Sequence, residues 1–383
     1  MSTRTLLIYL IVSVNFALTC CAQKMLKFKK TKIADTTYEA ASIYDVDKDG
    51  NLDIVSGEYW FPGPDFTKRI KICDVQKEGD YYDDFSDYPM DVDGDGYLDI
   101  VTGGWWGKTL RWRENPKGQP IIWKVHDIDN CGSIERPCFW DIDGDGTIEV
   151  VPNLYNDSLN IYKLITDSSG KPTGKFSKYV IRKEPQRHGL GFGDINGDGR
   201  GDFVLAEGWL EAPADPLKGQ WIWHPEFNLG RASDPILVYD VDSDGLADLI
   251  VGQAHDYGLY WLQQTFNAGK RTWVKHDIDT TRSQYHDLAL ADIDNDGRPE
   301  LITGKRYWAH CGNDPGERDN IGIYYFEIDA GKFKCVTIDY GPPTQASGVG
   351  IYFWIADIDG NGWKDILAPG KQGLYLFKNL GLK

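Results

Sequence analysis

An all-β, seven-bladed β-propeller with calcium-binding loops is the fold the sequence predicts, and three observations predict it. The pattern Asp-x-Asp-x-Asp-Gly-x-x-Asp occurs seven times with small variations, starting at Asp45, Asp91, Asp141, Asp194, Asp240, Asp292 and Asp357. Each copy runs into an apolar strand, such as Leu52-Asp53-Ile54-Val55 or Leu98-Asp99-Ile100-Val101. The segment from Lys27 to Ile33 reads as an outer strand, yet it precedes the first loop.

The repeat spacing sets the size of the unit. The intervals are 46, 50, 53, 46, 52 and 65 residues. Short strands on a repeat near 50 residues amount to about four strands per unit. A four-stranded unit cannot bury both faces alone, so the units must pack radially. Second strands of the type Trp-x-x-His-Asp-Ile appear at Trp123 to Ile128 and Trp273 to Ile278. The seventh loop lacks such an outer strand, because little chain follows Leu374-Tyr375-Leu376-Phe377. The N-terminal strand therefore completes the last blade, and seven loops match seven outer strands.

The loops carry the clearest chemistry. Oxygens at positions 1, 3 and 5 converge on a cation when Gly at position 6 lets the chain turn sharply. Position 7 can add a backbone carbonyl and position 9 a carboxylate. The expected ligands are Asp45, Asp47, Asp49 and Asp53 in the first loop, and Asp91, Asp93, Asp95 and Asp99 in the second. Asp141, Asp143, Asp145 and Glu149 follow in the third, and Asp194, Asn196, Asp198 and Asp202 in the fourth. The last three loops offer Asp240, Asp242, Asp244 and Asp248; Asp292, Asp294, Asp296 and Glu300; and Asp357, Asp359, Asn361 and Asp365. Hard oxygen ligands without His or Cys select calcium, up to seven ions. The alternative is an Asp/Gly-rich turn without metal.

This reinterprets the charge. The formal net charge is −17, with 58 acids against 41 Lys+Arg. Setting the 26 loop carboxylates aside leaves a body of +9, and seven calcium ions would bring the total to −3. The acidity therefore says nothing of a cationic partner, and the basic remainder suits an anionic ligand. No basic run is long or dense enough for nucleic acid.

The first 22 residues form a separate segment. Arg4, the apolar run Leu6 to Leu18 and the ending Thr19-Cys20-Cys21-Ala22 have the build of a signal peptide. Cleavage after Ala22 would release a soluble protein. Leu18-Thr19-Cys20-Cys21 also resembles a lipobox with Cys21 acylated, and a buried helix is the plain alternative. Residues 23–383 then form one propeller domain, exported and periplasmic, extracellular or anchored by lipid; only such an anchor would touch a membrane. Of the later cysteines, Cys131 can close a short loop with Cys138, and Cys311 can pair with Cys335. Cys73 is left over as a buried residue. No CxxC metal pattern is present.

On these repeats the chain resembles the FG-GAP or VCBS family, whose integrin-like propellers bind calcium in such loops. Two segments carry a narrower likeness: Arg187-His188-Gly189-Leu190-Gly191-Phe192-Gly193-Asp194 with Gly208-Trp209-Leu210-Glu211-Ala212-Pro213, and Val251-Gly252-Gln253-Ala254-His255. They resemble the propeller of aldos-2-ulose dehydratases. That resemblance implies metal-assisted elimination of water from an oxidised sugar. The cupin domains of the fungal members are absent, so it implies no isomerase step.

The residues also point to a site without that likeness. Positions about six before and thirteen after the first Asp lie one strand length from the loop, ~18–20 Å away at the opposite face. The earlier set is Glu39, Phe85, Glu135, His188, Asp234, His286 and Ile351, with Arg136 and Asp287 adjacent in sequence. The later set includes Glu58, Tyr59, Trp105, Trp106, Tyr155, Glu207, Trp209, His255, Lys305, Arg306, Trp308 and Lys371. Titratable groups ringed by aromatics are how a polar pocket at a channel mouth would look. The expected catalytic residues are His188, His286, Glu135, Asp234 and His255. The expected substrate-binding residues are Arg136, Trp105, Trp209, Lys305, Arg306, Glu207 and Asp287. The plain alternatives are a structural His beside each loop and Trp packed between blades.

No Ser-His-Asp order, Gly-x-Ser-x-Gly elbow or phosphate loop is evident. Two His with carboxylates can hold a further divalent ion (Zn2+, Mg2+ or Mn2+) or act as base and acid. The expected function is a carbohydrate lyase of the dehydratase type, acting on a keto-sugar or a uronate-containing oligosaccharide. The alternatives are a calcium-rigidified propeller that binds glycan or protein without catalysis, and, less supported, an integrin-like adhesion role.

Overall fold

The computed structural model describes residues 25–382. Seven four-stranded antiparallel sheets account for nearly all of the strands, and no helix occurs among the described residues. The expected signal segment, with its lipobox and Cys21, lies outside the described residues.

Each blade begins with a short inner strand, turns through an acidic loop and returns. In the first blade, Ser42–Tyr44 pairs with Asp53–Ser56 across the loop at Asp45. The strand Leu26–Ala34 pairs antiparallel with Leu374–Leu382 and becomes the outer strand of the last blade, as expected. The outer strands Lys124–Asn130 and Lys270–Ser283 contain the two Trp-x-x-His-Asp-Ile segments or their greater part.

The loops share one hydrogen-bond design. In all seven, the Gly at position 6 donates its N–H to the Asp at position 1, at 2.7–3.0 Å. These glycines have φ of 85–89°, a region that costs a side chain strain. The position-9 acid is buried in every loop and accepts the N–H of position 2 at 2.8–3.0 Å. In five loops its other oxygen accepts a second backbone N–H, as when Asn115 donates to Asp99 at 2.8 Å. Position 9 is thus first a staple between the loop and the third strand.

The recurring His of the outer strands has a packing role. Trp112 stacks on His126, Trp209 on His224 and Trp261 on His276, with ring centroids 4.1–4.6 Å apart. The five cysteines of the propeller are all free thiols, so neither expected disulfide forms. Cys138 is committed to the inner layer, its thiol donating to Asp234 at 3.3 Å. Cys335 lies on the outer strand Lys332–Gly341, whereas Cys311 sits in the long segment before Ile321–Asp329.

Candidate functional site at the channel mouth

Three histidines from three blades meet at one end of the channel. His188 lies two residues before the inner strand Leu190–Gly193, His255 follows Asp248–Gly252, and His286 lies on Tyr285–Ala291. Each offers a ring nitrogen within 4.8 Å of the others. His188 and His255 approach Nε2 to Nε2 at 3.1 Å. The His286 ring centroid lies 5.0 Å from that of His188 and 5.6 Å from that of His255.

The outer nitrogens fix the tautomers. His188 Nδ1 faces the carbonyl of Ala232 at 2.7 Å, an acceptor only, so Nδ1 carries the hydrogen. His255 Nδ1 faces Asp314 Oδ2 at 2.8 Å. Against the upward push of burial, bonds from His255 and His310 hold Asp314 down at about 2, so it is a carboxylate and His255 Nδ1 donates. Burial pushes His188 down to about 3 and His255 to about 2, and sends His286 well below its ordinary value. All three rings are therefore neutral, and two lone pairs face each other at 3.1 Å. His286 is fully buried, and neither of its nitrogens has a protein partner.

A cavity of about 1010 Å³ opens over this cluster. Its walls include Trp105, Glu135, Tyr155, Arg187, Glu207, Arg231, His310 and Asp314. Glu135 stands beside the histidines, its Oε2 3.7 Å from His188 Nε2. Burial pushes its carboxyl up to about 7, against the pull of Arg306. A side cavity of about 230 Å³ shares Trp105, Glu135 and His310, and adds Tyr81, Phe85, Trp106 and Arg306.

The structure brings together His188, His286, His255, Glu135, Trp105, Glu207 and, at the side cavity, Arg306. It does not bring the other expected site residues to the cavity. Trp209 is buried between blades, where it stacks on His224, because its place on Gly208–Glu211 turns it from the channel. Asp234 is wholly buried one layer down, raised to about 8 by burial, with Cys138 as its side-chain partner. Arg136 bridges Asp287 at 3.0 Å and the Asp234 carbonyl, so both charges of that pair are spent on holding blades together. Lys305 is buried and donates to Ser283 Oγ and to the carbonyl of Gly316, which anchors the 306–320 segment. Arg306 itself is held by Glu39 at 2.8 and 3.1 Å.

His310 and Asp314 escaped sequence reasoning. His310 stacks on His255 with centroids 4.1 Å apart and planes within 5°, and its Nδ1 lies 3.0 Å from Asp314 Oδ1. Both sit on the extra chain that makes the sixth interval the longest, and that length was the available signal. Arg187 and Arg231 were missed too, since neither occupies the repeated offsets.

Fold and loops together define a seven-bladed repeat propeller with acidic loops at one face and a polar pocket at one mouth. More specifically, two stretches of this propeller, residues 91–152 and 240–303, match the family model of FG-GAP-like repeats. No curated protein matches the sequence. Among solved structures, the chain is similar to the V. cholerae biofilm matrix protein Bap1, at 15% identity and a TM-score of 0.33, over 84% of this chain. It spans 42% of the length of that protein. It is also similar to BBS1N, solved in complex with ARL6DN and soaked with lead, at 10% identity and a TM-score of 0.47, over 94% of this chain and 98% of that one. At these values neither likeness bears on function.

Proposed function

We propose that the protein is a metal-dependent carbohydrate lyase of the dehydratase type, acting at the channel-mouth cavity on an acidic sugar. One observation carries the reading. Two neutral imidazoles point unshared lone pairs at each other across 3.1 Å, beside a third imidazole whose nitrogens have no partner. Facing lone pairs repel unless a cation lies between them. Two Zn–N bonds at a tetrahedral angle span about 3.3 Å, close to the separation found. His188, His255 and His286 would hold the ion. An all-imidazole set suits Zn2+ better than Mn2+ or Mg2+. Asp314 orients His255 as carboxylates orient metal-binding histidines elsewhere. The bound ion would supply positive charge to an oxygen on which negative charge develops.

The chain's own groups would do the rest. Glu135, near 7, is matched to taking a proton from the carbon next to a carboxylate at neutral pH. The C–H electron pair becomes the new C=C bond, and the C–O bond of the β-hydroxyl breaks. His310, on the cavity wall, donates the proton with which that oxygen leaves as water. Arg187 and Arg231 make only long ion pairs, 3.8 Å to Glu207 and 3.6 Å to Asp314, and Arg187 spends Nη1 on Asn156 at 2.7 Å, which leaves their other donors for a substrate carboxylate. This favours a uronate-containing substrate over a neutral keto-sugar.

The deciding experiment is mass spectrometry of uronate oligosaccharides and keto-sugars incubated with zinc- or manganese-loaded protein. Loss of one water is expected from a uronate. Absence of any such product, with metal at the site confirmed, would overturn the lyase reading. A second reading, a glycan-binding propeller without catalysis, is supported by Trp105 and Tyr155, whose rings lie 5.7 Å apart at the cavity wall. Binding without turnover would select it.

Calcium in the loops is part of the proposal. The residues fit a hard cation on one structural count: Asp91 and Asp292, at position 1, each keep a buried Oδ1 with no partner. In the first two loops, position 1, 3 and 9 carboxylates lie within 4.8 Å of one another. Export through the N-terminal segment remains a proposal as well. Gln23 as the first residue of a soluble mature chain would select cleavage after Ala22 over acylation of Cys21.

A further inference from the structure

The third loop differs from the other six in what fills it. Lys163 Nζ lies 2.9 and 2.8 Å from the two oxygens of Asp143, 2.7 Å from Asp145 Oδ2, 3.0 Å from Glu149 Oε1 and 3.2 Å from Thr147 Oγ1. Five oxygens around one ammonium engage three of the loop's four acids at once. Only Asp141 lies beyond its reach, its Oδ2 taken by the Gly146 N–H at 2.9 Å.

The strand register explains how Lys163 arrives there. Val150, which follows the position-9 acid, pairs with Tyr162, so the next residue of the third strand stands over the loop. The same step from the pairs Ile100↔Arg113, Leu249↔Leu262 and Ile366↔Phe377 places Glu114, Gln263 and Lys378 over loops two, five and seven. Glu114 carries no positive charge and turns to His126. Gln263 offers an amide to Asp242 at 2.6 Å. Lys378 reaches Asp359 alone, at 3.3 Å. Among the described residues, no other loop has three of its acids bound by one side-chain cation.

We infer that the third loop carries its own cation: the Lys163 ammonium takes the place that calcium takes in the loops of sister blades, and this loop binds no ion. The inference rests on the calcium reading proposed above. An ammonium with three donors relieves the repulsion among clustered carboxylates as a metal would. Because Lys163 is tethered to the same chain, no chelator removes it.

The test is calcium stoichiometry by native mass spectrometry, on propeller stripped with chelator and reloaded with saturating calcium. Lys163→Met removes the charge and keeps an unbranched apolar stem of similar length. The variant should bind one calcium more per chain than wild type. Equal, non-zero stoichiometry would overturn the inference and leave the calcium reading standing. No calcium in either protein would overturn both. Should Lys163→Met fail to fold, wild-type crystals soaked in terbium decide the matter by anomalous scattering. Peaks in other loops and none at Asp143 are expected, and a peak at Asp143 would overturn the inference.

Discussion

His188 and His255, 67 residues apart in sequence, meet Nε2 to Nε2 at 3.1 Å with both Nδ1 atoms spent on outside acceptors. Each acceptor comes from elsewhere in the chain: the Ala232 carbonyl for one, Asp314 of the long sixth-blade segment for the other. Two blades and an insertion thus aim two lone pairs at one point, and the buried His286 ring lies 5.0 and 5.6 Å from the other two.

Removal of a ligand should empty that point. His188→Ala or His286→Ala is expected to lose the tightly held transition ion by elemental analysis and to lower turnover by about 10²–10⁴-fold. Melting should move little, because the acidic loops lie at the other face and His286 gives up no hydrogen bond when truncated. Full metal content in both variants would exclude the three-histidine centre.

Glu135 sets the pH dependence. Burial raises its carboxyl to about 7, so the ionised base is present above that pH and lost below it. kcat/KM should therefore rise from pH 6 to pH 8 with an apparent midpoint near 7. Glu135→Gln should flatten that limb and cut the rate by about 10²–10⁴-fold while metal content is kept. An unchanged acid limb in the variant would assign it to another group.

Chelation should lower the melting temperature markedly. Carboxylates crowded in the loops other than the third repel without a cation, and calcium binds those folded loops better than the unfolded chain. The backbone staples of the position-9 acids keep part of each loop formed, so the blades should loosen rather than unfold outright. A melting curve unmoved by confirmed calcium removal would exclude the calcium reading.

The loops, the blade count and the closing strand were legible because each rests on local chemistry: clustered acids at fixed spacing, a Gly forced to φ near 90°, and an orphan strand at one end. Glu135, His188 and His286 were legible because they share one offset from the loop, and the repeat turns an offset into a place. Trp209 was misplaced because side chains alternate along a strand, and a residue read as facing the mouth faces the next blade instead. Arg136 with Asp287, and Lys305, were misread because charge alone does not tell a buried structural pair from a ligand contact; only the partner does. His310, Asp314, Arg187 and Arg231 obey no repeat, so nothing in the periodicity placed them at the cavity.

Those two arginines give the last prediction. Arg187 and Arg231 line the cavity with exposed head groups, and their acidic neighbours lie at 3.8 and 3.6 Å, too far for short bidentate pairing. A uronate carboxylate entering the cavity would draw both guanidinium groups into closer ion pairs than they make at rest. Arg187→Ala and Arg231→Ala should each raise KM for an acidic sugar by about 10-fold, since a hydrogen bond to a charged group contributes about 1.5–3 kcal/mol. The value of kcat should stay within a few-fold, because neither group touches the departing oxygen in the proposed arrangement. Raised salt should weaken the wild type more than either variant, as partly exposed charges are screened. Steady-state kinetics on a uronate oligosaccharide and its methyl ester separate the possibilities. If the ester, which lacks the charge, is turned over with the same KM as the free acid, the arginines serve another purpose and the substrate is not selected by its carboxylate.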